Sequence, residues 1–123
     1  MRILIVDDEK AVANLLADAI QVQGHQATVV HRGDEALAAL ARQRPDAVFL
    51  DVLMPGMSGV EVLRRIRATD RALPVILITG HAKEEEIEEA RRLGVSEIIE
   101  KPFILNNLSE ALGSLGGAGQ VGR

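Results

Sequence analysis

The sequence predicts a doubly wound α/β fold: a five-stranded parallel sheet in the order 2-1-3-4-5, with five helices on its two faces. Three observations predict it. Five short apolar runs, rich in β-branched residues, are each followed by a longer segment whose apolar positions recur at helical spacing, and strands that alternate with helices build parallel sheets. Every connection between runs is long enough to hold a helix, as a parallel crossover requires. The first, third and fourth runs are the most continuously apolar and suit the buried centre. The second and fifth carry more polar residues and suit the edges.

The elements follow in order. "RILIV" (2–6) is the first strand. Val12, Leu15, Leu16, Ala19 and Ile20 mark the buried side of a first helix, which Gly24 stops. "ATVV" (27–30) is the second strand. Ala36, Leu37, Leu40 and Ala41 mark a second helix, closed by Pro45. "AVFL" (47–50) is the third strand and ends in Asp51. Ser58 and Glu61 have capping-box spacing and open a helix that buries Val62, Leu63 and Ile66. "VILI" (75–78) is the fourth strand, "AKEEEIEEARRLG" a polar fourth helix, and "EIIE" (97–100) the fifth strand. Leu105, Leu108, Leu112 and Leu115 give a last helix. The expected domain is 1–116, and 117–123 reads as a Gly-rich tail, disordered or the start of a linker.

Composition excludes several classes. A chain of 123 residues with 47% hydrophobic and 26% charged residues is expected to be one globular domain. It has no cysteine, hence no disulfide framework and no thiolate chemistry. No apolar run reaches the roughly 20 residues of a membrane span, and the first apolar run is too short for a signal peptide. A net charge of −4 argues against nucleic acid as the main partner.

This strand order is shared by flavodoxin-like folds, which bind ligands beyond the carboxyl ends of the strands, where the order switches between strands 1 and 3. Strand 1 there delivers Asp7 and Asp8, strand 3 Asp51, strand 4 Thr79 and strand 5 Lys101. Two like charges about 4 Å apart repel by about 4 kcal/mol at an effective dielectric near 20. Lys101 offsets part of this. A divalent cation would offset more, and an all-oxygen donor set points to Mg²⁺. Without it, raised carboxylate pKa values are expected.

These residues resemble the receiver domain of two-component response regulators: "DD" after strand 1, "D" followed by "MPGMSG" after strand 3, "T" after strand 4 and "KPF" after strand 5. The resemblance covers about residues 2–115. It implies that Asp51 is the phosphoacceptor, taking a phosphoryl group from the phosphohistidine of a histidine kinase or phosphotransfer protein. It implies that Asp8 and Asp51 ligate Mg²⁺ directly, Asp7 directly or through water, and that the Leu53 backbone carbonyl completes the protein ligands. Thr79 and Lys101 would contact the phosphoryl oxygens, with a cis Lys101–Pro102 bond aiming the lysine. No organic cofactor is implied. The chain would be a cytoplasmic signalling protein, not an enzyme on other substrates, that catalyses its own phosphorylation and dephosphorylation. The family also suggests a homodimer through the fourth helix, fifth strand and fifth helix, and no direct nucleic-acid binding. No effector domain follows Phe103, so a stand-alone regulator or a receiver from a longer protein is expected.

Each position has a structural alternative. Asp7 and Asp8 could cap the first helix, Thr79 could be one more strand residue, and Lys101 a surface lysine. Gly56 and Gly59 read as turn residues, Met54 and Met57 as loop apolars, His25, His31 and His81 as solvated loop residues, and Arg64, Arg65 and Arg67 as an exposed face. The pattern departs from the family at Ile98, where receivers usually carry Tyr or Phe. A dehalogenase-like phosphatase would need a second Asp two residues after the nucleophile, where Leu53 stands. A flavodoxin-like nucleotide module would need a Gly-rich loop in place of "DDEK". A degenerate receiver, folded but never phosphorylated, would not need all five site positions.

Overall fold

The computed structural model describes residues 1–101 and 111–113. Five parallel strands, β1 (Arg2–Val6), β2 (Gln26–Val30), β3 (Ala47–Asp51), β4 (Val75–Thr79) and β5 (Glu97–Glu100), form one sheet in the order β2-β1-β3-β4-β5. Between them run α1 (Lys10–Val22), α2 (Gly33–Arg42), α3 (Gly59–Thr69) and α4 (Glu84–Arg92). Residues 111–113 are helical, at the position of the expected fifth helix. Leu105, Leu108, Leu115, Pro102 and residues 117–123 lie outside the described residues.

Side chains alternate across a strand, so each strand feeds two cores. Ile3, Ile5, Phe49, Ile76, Ile78 and Ile99 face α1 and the buried Ala111 and Leu112. Leu4, Val6, Val48, Leu50, Val75 and Leu77 face α2, α3 and α4. All five residues of β3 and of β4 are buried, whereas no residue of the edge strand β2 is, and Gln26 and Thr28 are exposed. This is the division of centre and edges that the apolar runs predict.

The helices depart from expectation in detail. α1 buries Ala13, Leu16, Ala17 and Ile20, while Leu15 is 53% exposed. Ala13, Leu16, Ala17 and Ile20 share one face of the helix, and Leu15, two residues from both Ala13 and Ala17, lies on the other. On α2 only Gly33 and Ala36 are buried, and Ala41 is exposed. At α3 the Ser58 hydroxyl accepts the Glu61 N–H at 3.3 Å. The Glu61 carboxylate, however, pairs with Arg64 and Arg65 instead of completing the box. At α4 the other half is present: Glu86 accepts the Lys83 N–H at 2.9 Å.

Two arginines read as an exposed face tie α3 to α4. Arg64 pairs with Glu89 at 2.6 Å. Arg67 is half-buried and donates to the carbonyls of Leu93 at 2.6 Å and Gly94 at 3.2 Å, satisfying acceptors that α4 leaves open at its C-terminus. Met54 is buried in the core on the α2–α4 face. His25 and His31 are not free loop residues either. His25 Nδ1 lies 3.0 Å from the N-terminal amine, and His31 Nδ1 lies 2.9 Å from the Asp7 carbonyl.

Candidate functional site

The strand register brings the predicted residues together. Val6 of β1 pairs with Leu50 of β3, so Asp7 and Asp51 emerge side by side one residue later. Asp7 continues the alternation of Ile3 and Ile5, Asp51 that of Ala47 and Phe49, and Lys101 that of Ile99. All three therefore issue on the side of the sheet that α1 covers. Thr79 has the opposite parity, in line with Val75 and Leu77.

Asp7, Asp51 and Thr79 are the buried polar residues of the described core, at 0%, 2% and 4% exposure. Asp8 is half-buried beside them. Carboxylate oxygens of Asp7, Asp8 and Asp51 all lie within 4.8 Å of one another. Lys101 Nζ reaches in to 3.2 Å from Asp7 and 3.5 Å from Asp51. The Lys101 N–H donates to the Thr79 carbonyl at 2.9 Å, which fixes the lysine backbone on the end of β4. Leu53 lies two residues beyond Asp51 in the β3–α3 loop, its side chain 47% exposed.

The electrostatics are those of crowded acids. The Asp51 carboxyl is pushed up to about 7 by burial first and then by the charge of Asp7. Lys101 opposes the shift, and a hydrogen bond with Asp7 and the charge of Asp8 add to it. Burial disfavours the Lys101 ammonium, but a hydrogen bond to Glu9 and the charges of Asp51 and Asp7 outweigh it and raise its pKa. Asp7 Oδ1 accepts the Glu9 N–H at 2.9 Å. Asp7 Oδ2 is buried and makes no well-formed hydrogen bond, its cationic partner being Lys101 Nζ at 3.2 Å. One ammonium shared among Asp7, Asp51 and Glu9 leaves negative charge uncompensated, and a cation held by oxygen ligands is the group that would offset it. Thr79 Oγ1 accepts the Ala82 N–H at 2.8 Å, which leaves its hydroxyl hydrogen for another acceptor.

Two residues at the site escape sequence reasoning. Glu9 is one, with its carboxylate 2.7 Å from Lys101 Nζ. The other is Gly59, read only as a turn residue. A Cβ there would lie 2.0 Å from the Asp51 carbonyl oxygen, and the Gly59 N–H donates to the Val52 carbonyl at 2.9 Å. The first turn of α3 is thus pressed onto the backbone that carries Asp51. The Ser58-Gly59 pair was a legible sign of a helix start, but no sequence signal reveals a contact across the fold.

Comparison with known proteins agrees with this fold. The chain is 39% identical over 108 residues to the response regulator MprA of Mycobacterium avium, covering 88% of this chain and 47% of that protein. It is 40% identical over 106 residues to the uncharacterized transcriptional regulatory protein YkoG of Bacillus subtilis, covering 86% of this chain and 46% of that one. It thus spans about half the length of these curated relatives. Among solved structures, a CheY-like receiver domain protein from Methanospirillum hungatei superposes with a TM-score of 0.90 at 25% identity, covering 98% of both chains. NtrX from Brucella abortus gives 0.82 at 34% identity, covering 98% of this chain and 28% of that one. The family profile described as response regulator receiver domain matches residues 3–113, and the chain therefore belongs to that signalling family.

Proposed function

We propose that this domain is a phosphoacceptor, taking a phosphoryl group from a histidine kinase or phosphotransfer protein onto Asp51 in a Mg²⁺-dependent reaction. The observation that carries the reading is the burial of Asp51 among Asp7, Asp8, Thr79 and Lys101, with three carboxylates gathered within 4.8 Å of one another beside one ammonium. Asp7, Asp8 and Asp51, with the Leu53 carbonyl, are the residues that would hold the cation. When bound, it would supply positive charge that neutralises the carboxylates and the phosphoryl oxygens.

The chain's own residues would do the rest. An Asp51 carboxylate oxygen attacks phosphorus in line with the leaving imidazole. The P–N bond breaks as the P–O bond forms, its electron pair stays on the ring nitrogen, and a neutral imidazole leaves that keeps the proton already on its other nitrogen. Charge gathers on the three equatorial oxygens of a loose transition state, so catalysis consists of positioning and neutralisation. Lys101 would offer an ammonium donor to one oxygen and Thr79 its free hydroxyl hydrogen to another. The backbone link from Lys101 to Thr79 would keep the two donors in register. Hydrolysis of the acyl phosphate by water in the same site would return the carboxylate. A cytoplasmic location follows from such a donor. Pairing with a second copy through α4, β5 and the last helix would be one output. Among the described residues, no helix is long and apolar enough to cross a membrane.

Incubation with Mg²⁺ and acetyl phosphate, followed by intact mass measurement, tests the reading. One added phosphoryl group is expected, and none in Asp51→Ala. An adduct that persists in Asp51→Ala places the acceptor elsewhere.

A further inference from the structure

Lys101 is held by a carboxylate outside the set of residues that the family resemblance assigns. Its Nζ lies 2.7 Å from Glu9 Oε1, nearer than to Asp7 at 3.2 Å or Asp51 at 3.5 Å. Of these contacts, the one to Glu9 is also a well-formed hydrogen bond. Glu9 stands at the N-cap of α1, yet its side chain makes no capping bond. Its N–H is fixed on Asp7 Oδ1 at 2.9 Å, so its backbone is locked to the acid cluster. Its side chain is 58% exposed and leans over the rim of the site to reach the lysine. A cation held by Asp7, Asp8 and Asp51 would engage the two buried carboxylates that share the ammonium. Glu9 would then be the remaining rival of a phosphoryl oxygen for Lys101.

We propose that Glu9 is a positioning residue for phosphoryl transfer: it holds Lys101 at the mouth of the site and must release it to the incoming phosphoryl group, which slows phosphorylation. The inference rests on Asp51 being the phosphoacceptor.

The test uses the full chain with Glu9→Gln, which keeps the shape and removes the charge. Rates of Asp51 phosphorylation are measured by intact mass at saturating Mg²⁺, with acetyl phosphate and with the less anionic donor phosphoramidate. Affinity for beryllofluoride is read from amide NMR shifts, and shifts remote from the site report on the fold. The expected result is a rate about two- to fivefold higher with both donors, and a comparable gain in beryllofluoride affinity, the range a partly exposed ion pair supports. Glu9→Asp, whose carboxylate is withdrawn by one methylene, should show much of the same gain. Unchanged rates and affinity overturn the proposal. So does acceleration confined to acetyl phosphate with Glu9→Asp behaving as wild type, since that pattern reports simple repulsion of an anionic donor. If neither protein is phosphorylated at Asp51 or binds beryllofluoride, the phosphoacceptor reading falls and this inference with it.

Discussion

At the scale of single residues, Asp51 couples charge to stability. Its carboxyl pKa is near 7 in the fold against an ordinary 3.8, so between about pH 4 and 7 the folded state holds a proton that the unfolded chain has lost. Stability contributed by the protonated form is present below that window and is lost as pH rises through it. Metal-free protein should therefore lose on the order of 2–4 kcal/mol between pH 4 and 8 from this group. Asp51→Asn should flatten that dependence and melt higher than wild type at pH 8, as thermal denaturation would show. Gly59 makes the opposite kind of demand. A methyl group 2.0 Å from the Asp51 carbonyl cannot be accommodated without moving α3 or β3. Gly59→Ala should cost about 2–4 kcal/mol, measured by urea unfolding, and should slow phosphorylation by displacing the acceptor.

At the scale of elements, α4 is held unevenly. Its C-terminal half is bound to α3 through Arg64–Glu89 and the Arg67 contacts to Leu93 and Gly94. Its N-terminal end is joined to the site through the Thr79–Ala82 hydrogen bond. A phosphoryl oxygen that draws in Thr79 would pull on that end. Beryllofluoride should therefore shift the amides of residues 80–90 more than those of 91–94. Ile98, half-buried on β5 and stiff at χ1, should change little. Shifts restricted to residues 51–58 would instead mean that the signal leaves through the face that carries Asp51. The elements were largely legible in sequence. The apolar runs give all five strands to within a residue: β1, β3 and β4 are buried on both faces and leave a continuous signature, and the edge strands β2 and β5 keep short β-branched runs. Helix faces were less legible: Leu15 fits a 3.6-residue period as well as Ala13 does, and only the packed sheet decides that the smaller residue is buried.

At the scale of the whole molecule, the strand ends convert a stable framework into a strained site. The acids at the ends of β1 and β3 repel one another on supports that cannot relax. Mg²⁺ that binds only the native state should raise the melting temperature with its concentration, by about 10 °C at a hundredfold excess over its dissociation constant. Asp8→Asn should weaken that response and raise the metal-free melting temperature, and a metal-free mutant less stable than wild type would refute the repulsion argument. That Asp7, Asp8, Asp51, Thr79 and Lys101 converge was legible because each stands at the carboxyl end of a strand or just beyond it. Glu9 and Gly59 were not, because their roles depend on distances between segments that a linear pattern does not encode.

The core has one more consequence, in its response to light. The chain contains no tryptophan and no tyrosine, and Phe49, at 0% exposure beneath Asp51, is the aromatic ring of the described core. In the near ultraviolet the protein is almost dark. A single indole introduced on the exposed surface of α4 would be the sole strong fluorophore in the molecule, and its emission would report on that helix without background. A sequence that omits the family's usual ring at Ile98 thereby leaves an optical window through which its own switching can be watched.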